Sequence, residues 1–134
     1  MDLVGVSAQY LDVVWNDVKD RISETLERFS DDELTAEDVH QQILDRDAQL
    51  WTTTEKESVC VTKILKRKNH LELLIWIVHA DKATQDHWDF IEQIKQWGKV
   101  QGCTKVSALV RPGFEKSMVK AGWKRKYVKL VQEI

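Results

Sequence analysis

The sequence predicts a mixed α/β (α+β) domain, a mostly antiparallel sheet with a parallel central pair and about four flanking helices. Three observations predict it. Residues 7–29 place Leu11, Val14, Trp15, Val18, Ile22, Leu26 and Phe29 at the spacing of an amphipathic helix, with charged residues between them. Three extended runs, 48–54, 58–66 and 70–79, follow across Glu55-Lys56-Glu57 and Arg67-Lys68-Asn69, connections short enough for hairpins. A whole helix then separates the third run from the next strand, 105–110, and a strand reached that way lies parallel to its predecessor.

The first helix breaks at Ser30-Asp31-Asp32-Glu33. Thr35 then offers a hydroxyl cap, with Glu37 and Asp38 in the first turn where the helix dipole favours acids, and the short helix buries Val39, Ile43 and Leu44. At Asp45-Arg46-Asp47 the period changes from helical to alternating. The stretch from Leu71 to Val78 is apolar on both faces, so it belongs inside a sheet covered on both sides. Beyond a polar turn at Asp81 to Gln85, a third helix buries Phe90, Ile91, Ile94, Trp97 and Val100 and ends at Gly102. Pro112-Gly113 opens a fourth, with Phe114, Met118 and Val119 inward and Gly122 closing it, and residues 123–132 make a final strand.

One Pro and five Gly in 134 residues leave little room for long loops, and 43% hydrophobic residues suffice for one domain, residues 1–134. No window approaches a membrane span, and the first 20 residues carry four Asp and no basic leader, so the chain is expected in the cytoplasm. Cys60 and Cys103 lack a CxxC or paired histidines and read as core residues. His40 and His87 have no Cys or acid at ligand spacing, so no metal site is expected. Ser107 and Cys103 have no base at a recognisable spacing, which argues against a hydrolase. The net charge of −2 hides an asymmetry: residues 1–57 hold 15 acids and 5 bases (−10), and residues 58–134 hold 7 acids and 15 bases (+8). Two halves that attract and pack together account for it, as does a basic surface waiting for an anion.

The order of elements resembles that of the GNAT superfamily of N-acetyltransferases, with Leu3 to Val6, interrupted by Gly5, standing for its first strand. The residues that carry the resemblance at the end of the chain are Gly113-Phe114-Glu115-Lys116 and Ala121-Gly122-Trp123-Lys124. The chain further resembles small GNAT-like proteins of tailed bacteriophages, on Asp47-Ala48-Gln49-Leu50-Trp51, the strand ending in Trp76, Trp97 with Gly102-Cys103, and Arg111-Pro112-Gly113-Phe114. The resemblance implies acetyl-CoA as cofactor if the chain is an enzyme, with contacts at Ile77, Val78, His79, Thr84 and Gln85.

Two departures point away from that chemistry. The family's pyrophosphate turn needs glycines for close backbone approach, whereas residues 79–86 contain none and carry Asp81 and Asp86. The family's proton-donating tyrosine, four residues before the glycine-aromatic step, corresponds to Met118, which donates no proton. The sequence therefore favours a non-catalytic GNAT-like protein without cofactor, acting through protein contacts with itself, with virion proteins or with host machinery. An acyl-CoA-dependent N-acetyltransferase is the alternative, with His79 as candidate general base. The groove between strands 71–79 and 105–110 is expected to be narrow, or plugged by Trp88 or Trp123. Trp15, Trp76 and Trp97 lie on apolar stripes and read as core. Lys124, Arg125, Lys126 and Lys129 beside Trp123 and Tyr127 mix cations with aromatics, but bases on an edge strand guard against aggregation, which argues against a nucleic-acid partner.

Overall fold

The computed structural model describes residues 3–29, 33–53, 58–79, 85–110 and 112–134. Strand β1 (Leu3–Val6) leads through a 3-10 turn into helix α1 (Leu11–Phe29), whose apolar stripe is buried at Leu11, Trp15, Val18, Ile22 and Leu26. Helix α2 (Ala36–Leu44) starts with a reciprocal cap. Thr35 Oγ1 accepts the Asp38 N–H, and the Asp38 carboxylate accepts the Thr35 N–H, so two orphan donors are satisfied at once. Leu44, expected inside, is 40% exposed, because the helix ends there and the chain turns through Arg46 at φ 66°.

Strands β2 (Gln49–Thr53), β3 (Val59–Lys66) and β4 (Leu71–His79) continue the antiparallel sheet from β1. Helix α3 (Gln85–Val100) crosses over to β5 (Cys103–Ala108), parallel to β4, and α4 (Pro112–Lys120) follows. The strand order is β1-β2-β3-β4-β5. Residues 123–132, expected as a last strand, form none, so the parallel pair stands at the edge of the sheet. Val119 and Val100 also face solvent rather than the core.

Each face of the sheet carries its own core. Under α1 and α2 lie Leu50, Val59, Val61 and Ile77; under α3 lie Cys60, Leu73, Ile75 and Ile94, joined by half-buried Trp51, Trp97, Val106 and Trp123. Ile75 and Ile77 are two residues apart yet belong to opposite faces. The cause is a bulge: Thr62 pairs with Ile75 and Val61 with Ile77, so Trp76 is an extra residue in β4 and reverses the alternation. Half-buried Trp76 packs against the α1 core, with Lys63 Nζ 4.5 Å from its ring centroid. Helix α3 approaches β4 closely at Gly98, where a Cβ would lie 2.7 Å from Leu73 Cδ2. Among the described residues no helix is long and apolar enough to cross a membrane.

Candidate active site

The pairing of β4 with β5 ends at Ile75 opposite Ala108, closed by a hydrogen bond from Leu109 N–H to the Ile75 carbonyl at 3.1 Å. Strand β4 continues for four residues, still paired with β3 through Ile77, Val78 and His79. Among the described residues no strand pairs with its β5-facing edge from Trp76 to His79. The two parallel strands thus part at the bulge. An open strand edge presents N–H and C=O groups to any extended, amide-bearing molecule that lies along it.

The sequence-derived site residues divide around this point. Ile77 is buried in the α1 core and Val78 packs on the α3 side, so neither side chain is free for a ligand, and what they offer is backbone. His79 is half-buried at the end of β4, its Nδ1 3.4 Å from Thr25 Oγ1 on α1. Thr25 donates its hydroxyl proton to the Arg21 carbonyl at 2.9 Å. A hydroxyl has one proton, so with that proton on the Arg21 carbonyl Thr25 Oγ1 is an acceptor toward the ring. Thr84 lies outside the described residues, as do Asp81 and the remainder of the glycine-free turn; of Gln85 and Trp88, only the helical backbone is described.

Met118 is buried, and its carbonyl accepts the N–H groups of Ala121 and Trp123 in the turn where Gly122 takes φ 101°. That turn delivers Trp123 to the α3-side core, which Val78 and Ala108 also join at the mouth of the parted strands. The expected plugs are thus placed only in part: Trp123 belongs to this core, and the Trp88 side chain lies outside the described residues.

Other nucleophile candidates are occupied. Burial pushes the Cys60 thiol up to about 12 and also raises Cys103, so neither supplies thiolate at neutral pH. Ser107 Oγ donates to Glu72 Oε2 at 2.7 Å, and Arg67 holds both oxygens of that carboxylate. Arg67 first and Ser107 second keep Glu72 below the usual carboxylate range. His40 stacks on Trp15 with ring centroids 4.3 Å apart, a packing role. Among the described residues no three His, Cys, Asp or Glu side chains are grouped to hold a metal ion.

Thr25 and the Trp76 bulge escape the sequence reading. Thr25 had a visible signal, a hydroxyl inside an otherwise apolar helix stripe beside Ile22 and Leu26. The bulge had none, because β4 is apolar on both faces and an inserted apolar residue leaves no break in the pattern.

No protein-family model matches the sequence, and no curated protein does. Solved structures do. A ribosomal-protein-alanine N-acetyltransferase from Brucella melitensis biovar Abortus 2308 matches with TM-score 0.72 at 6% identity, over 100% of each chain. An aminoglycoside acetyltransferase from an uncultured soil metagenomic sample, in complex with sisomicin, matches with TM-score 0.70 at 10% identity, over 99% of this chain and 95% of that one. A Clostridium acetobutylicum protein described as a predicted acetyltransferase, solved with acetyl-CoA, matches with TM-score 0.70 at 6% identity, over 97% of this chain and 95% of that one. The resemblance to bacteriophage proteins gains no support from these three. What they share with this chain is architecture, and the chain has the fold of the GNAT acetyltransferases.

Proposed function

We propose that this chain is an acyl-CoA-dependent N-acyltransferase whose acyl donor lies along the β5-facing edge of β4 between Trp76 and His79. The observation that carries the reading is the parting of β4 and β5 after Ile75 and Ala108, beyond which, among the described residues, no strand pairs with that side of β4. This sets the acyltransferase ahead of the non-catalytic reading drawn from the sequence, because among the described residues no strand pairs with that edge. An amide-bearing arm fits such an edge by adding as a further strand.

The bound group supplies an acyl thioester, whose carbonyl an acceptor amine attacks so that a C–N bond forms and the C–S bond breaks. His79 takes the amine proton on its ring, with Thr25 Oγ1 3.4 Å from Nδ1 to orient the imidazole. Backbone N–H groups on the β5-facing edge of β4, where no strand pairs among the described residues, can donate to a carbonyl oxygen that gains negative charge. Met118 donates no proton, so the thiolate leaves unassisted by this helix, which a thiol of ordinary pKa, about 8.5, permits. With no glycine in residues 79–86, the phosphate end is held less tightly than in a glycine-lined turn.

The test is a thiol-release assay with acetyl-CoA and a panel of primary amines. Amine-dependent release is expected, with kcat lowered about 100-fold in His79→Gln. Release at the uncatalysed rate for every amine, with no thermal shift by millimolar acetyl-CoA, contradicts the reading. At a hundred times its dissociation constant a ligand adds about 2.7 kcal/mol, a shift on the order of 10 °C here. The second reading, a non-catalytic protein acting through contacts, draws on buried Met118 at the position that the resemblance gives to the proton donor.

A further inference from the structure

The surface chemistry of β5 changes at the point where it parts from β4. Ala108 is the last residue of β5 opposite β4, and the Leu109 N–H still bonds to the Ile75 carbonyl, so Leu109 and Val110 stand where the two strands separate. Side chains alternate faces along a strand, so Lys105, Ser107 and Leu109 share one. Lys105 is exposed and Ser107 is bonded to Glu72, whereas Leu109 is apolar and 59% exposed, and Val110 after it is 40% exposed. Val78 on β4 and Ala108 are half-buried on the α3 side. Single apolar residues on a surface are ordinary, but two in succession here adjoin the stretch where, among the described residues, β4 has no strand partner on this side.

We propose that the acyl donor carries a straight apolar tail longer than acetyl, of the hexanoyl class, which covers Leu109 and Val110 while the donor lies on the β4 edge. The inference rests on the N-acyltransferase reading and names the donor class for that site. An acetyl group ends in one methyl and leaves both side chains in water. Two extended residues span about 7 Å, the reach of roughly five carbon–carbon bonds beyond the carbonyl. Each methylene taken from water onto an apolar surface favours binding by up to about fourfold. The transfer itself is unchanged: the acyl carbon passes from sulfur to the acceptor nitrogen, the amine proton goes to His79 and the thiolate leaves. A partner protein is the weaker occupant, since two side chains fall far short of the roughly 800 Å² that each side of a stable interface buries.

Thiol release with the same panel of primary amines, compared for acetyl-, butyryl-, hexanoyl- and octanoyl-CoA, tests it. The value of kcat/KM is expected to rise about tenfold or more from acetyl to hexanoyl and to level off at octanoyl. Leu109→Asp is expected to flatten the series to within about twofold, because a carboxylate on that surface stays hydrated and repels the tail. Val110→Asp, also at an exposed position, is expected to do the same and serves should the first variant fail to fold. Hexanoyl transfer no faster than acetyl transfer overturns the inference and leaves the acyltransferase reading standing. A chain-length series unchanged in both variants also overturns it, since the tail then lies elsewhere. No amine-dependent release from any of the four donors overturns the acyltransferase reading, and the inference with it.

Discussion

Gly98 shows how a single missing Cβ sets the spacing of a helix on a sheet. An added methyl would stand 2.7 Å from Leu73 Cδ2, and Leu73 is almost wholly buried. Helix propensity favours Ala over Gly by up to about 1 kcal/mol, whereas overpacking a core costs about 1–3 kcal/mol. Overpacking wins. Gly98→Ala is expected to lower stability by about 1 kcal/mol in urea unfolding, and combining it with Leu73→Val is expected to cost less than the sum of the two. At the candidate site, Thr25→Val removes the hydroxyl that faces His79 Nδ1 at 3.4 Å. A fall of about tenfold in kcat with little change in KM for the acyl donor is expected, and an unchanged kcat would detach Thr25 from the chemistry.

At the scale of elements, the cap of α2 and the carboxylate between β4 and β5 are both acid-sensitive. Asp38 is held below its ordinary value of 3.8, first by the Thr35 backbone N–H and then by the Thr35 hydroxyl. Glu72 is held below 4.5 by Arg67 and Ser107. Folded-state values that are depressed contribute stability that is complete above the unfolded values and lost as pH falls through the folded ones. Stability is therefore expected to be flat with respect to these two groups above about pH 5 and to fall below it, and Glu72→Gln should flatten that fall in melting curves taken from pH 7 to pH 3. Thr35→Ala, which removes the cap from α2, is expected to cost about 1 kcal/mol at neutral pH. These elements were legible in the sequence because each rests on a local rule: hydroxyl then acids for α2, apolar stripe for α1, alternation for β2 and β3. The expected final strand did not form because alternation supplies only the propensity for a strand, and a strand exists only where a neighbour takes its backbone hydrogen bonds.

Across the whole molecule, the acidic and basic halves do pack on one another, since α1 lies over β3 and β4. Yet Glu24–Arg28, Glu72–Arg67, Glu92–Lys95 and Glu115–Arg125 each join partners within one half. Apolar contact between α1 and the sheet, through Val18, Ile22, Val61 and Ile77, holds the halves together. The order of elements was readable from periodicity and connection lengths, and its resemblance to the GNAT order implied the fold. From its own chemistry only His79, a polar residue closing an apolar strand, stood out as a candidate, while Ile77 and Val78 were named only through the resemblance. Its essential feature, backbone left open by a bulge, has no side-chain signature.

The central claim is that this open backbone receives the acyl donor, and amide nitrogen-proton correlation spectra recorded during an acetyl-CoA titration test it most directly. Saturable shifts are expected at Trp76, Ile77, Val78, His79 and Leu109, with the amides of β1 and β2 unmoved. Spectra unchanged at millimolar acetyl-CoA, or shifts confined to elements away from the parting of β4 and β5, would contradict it.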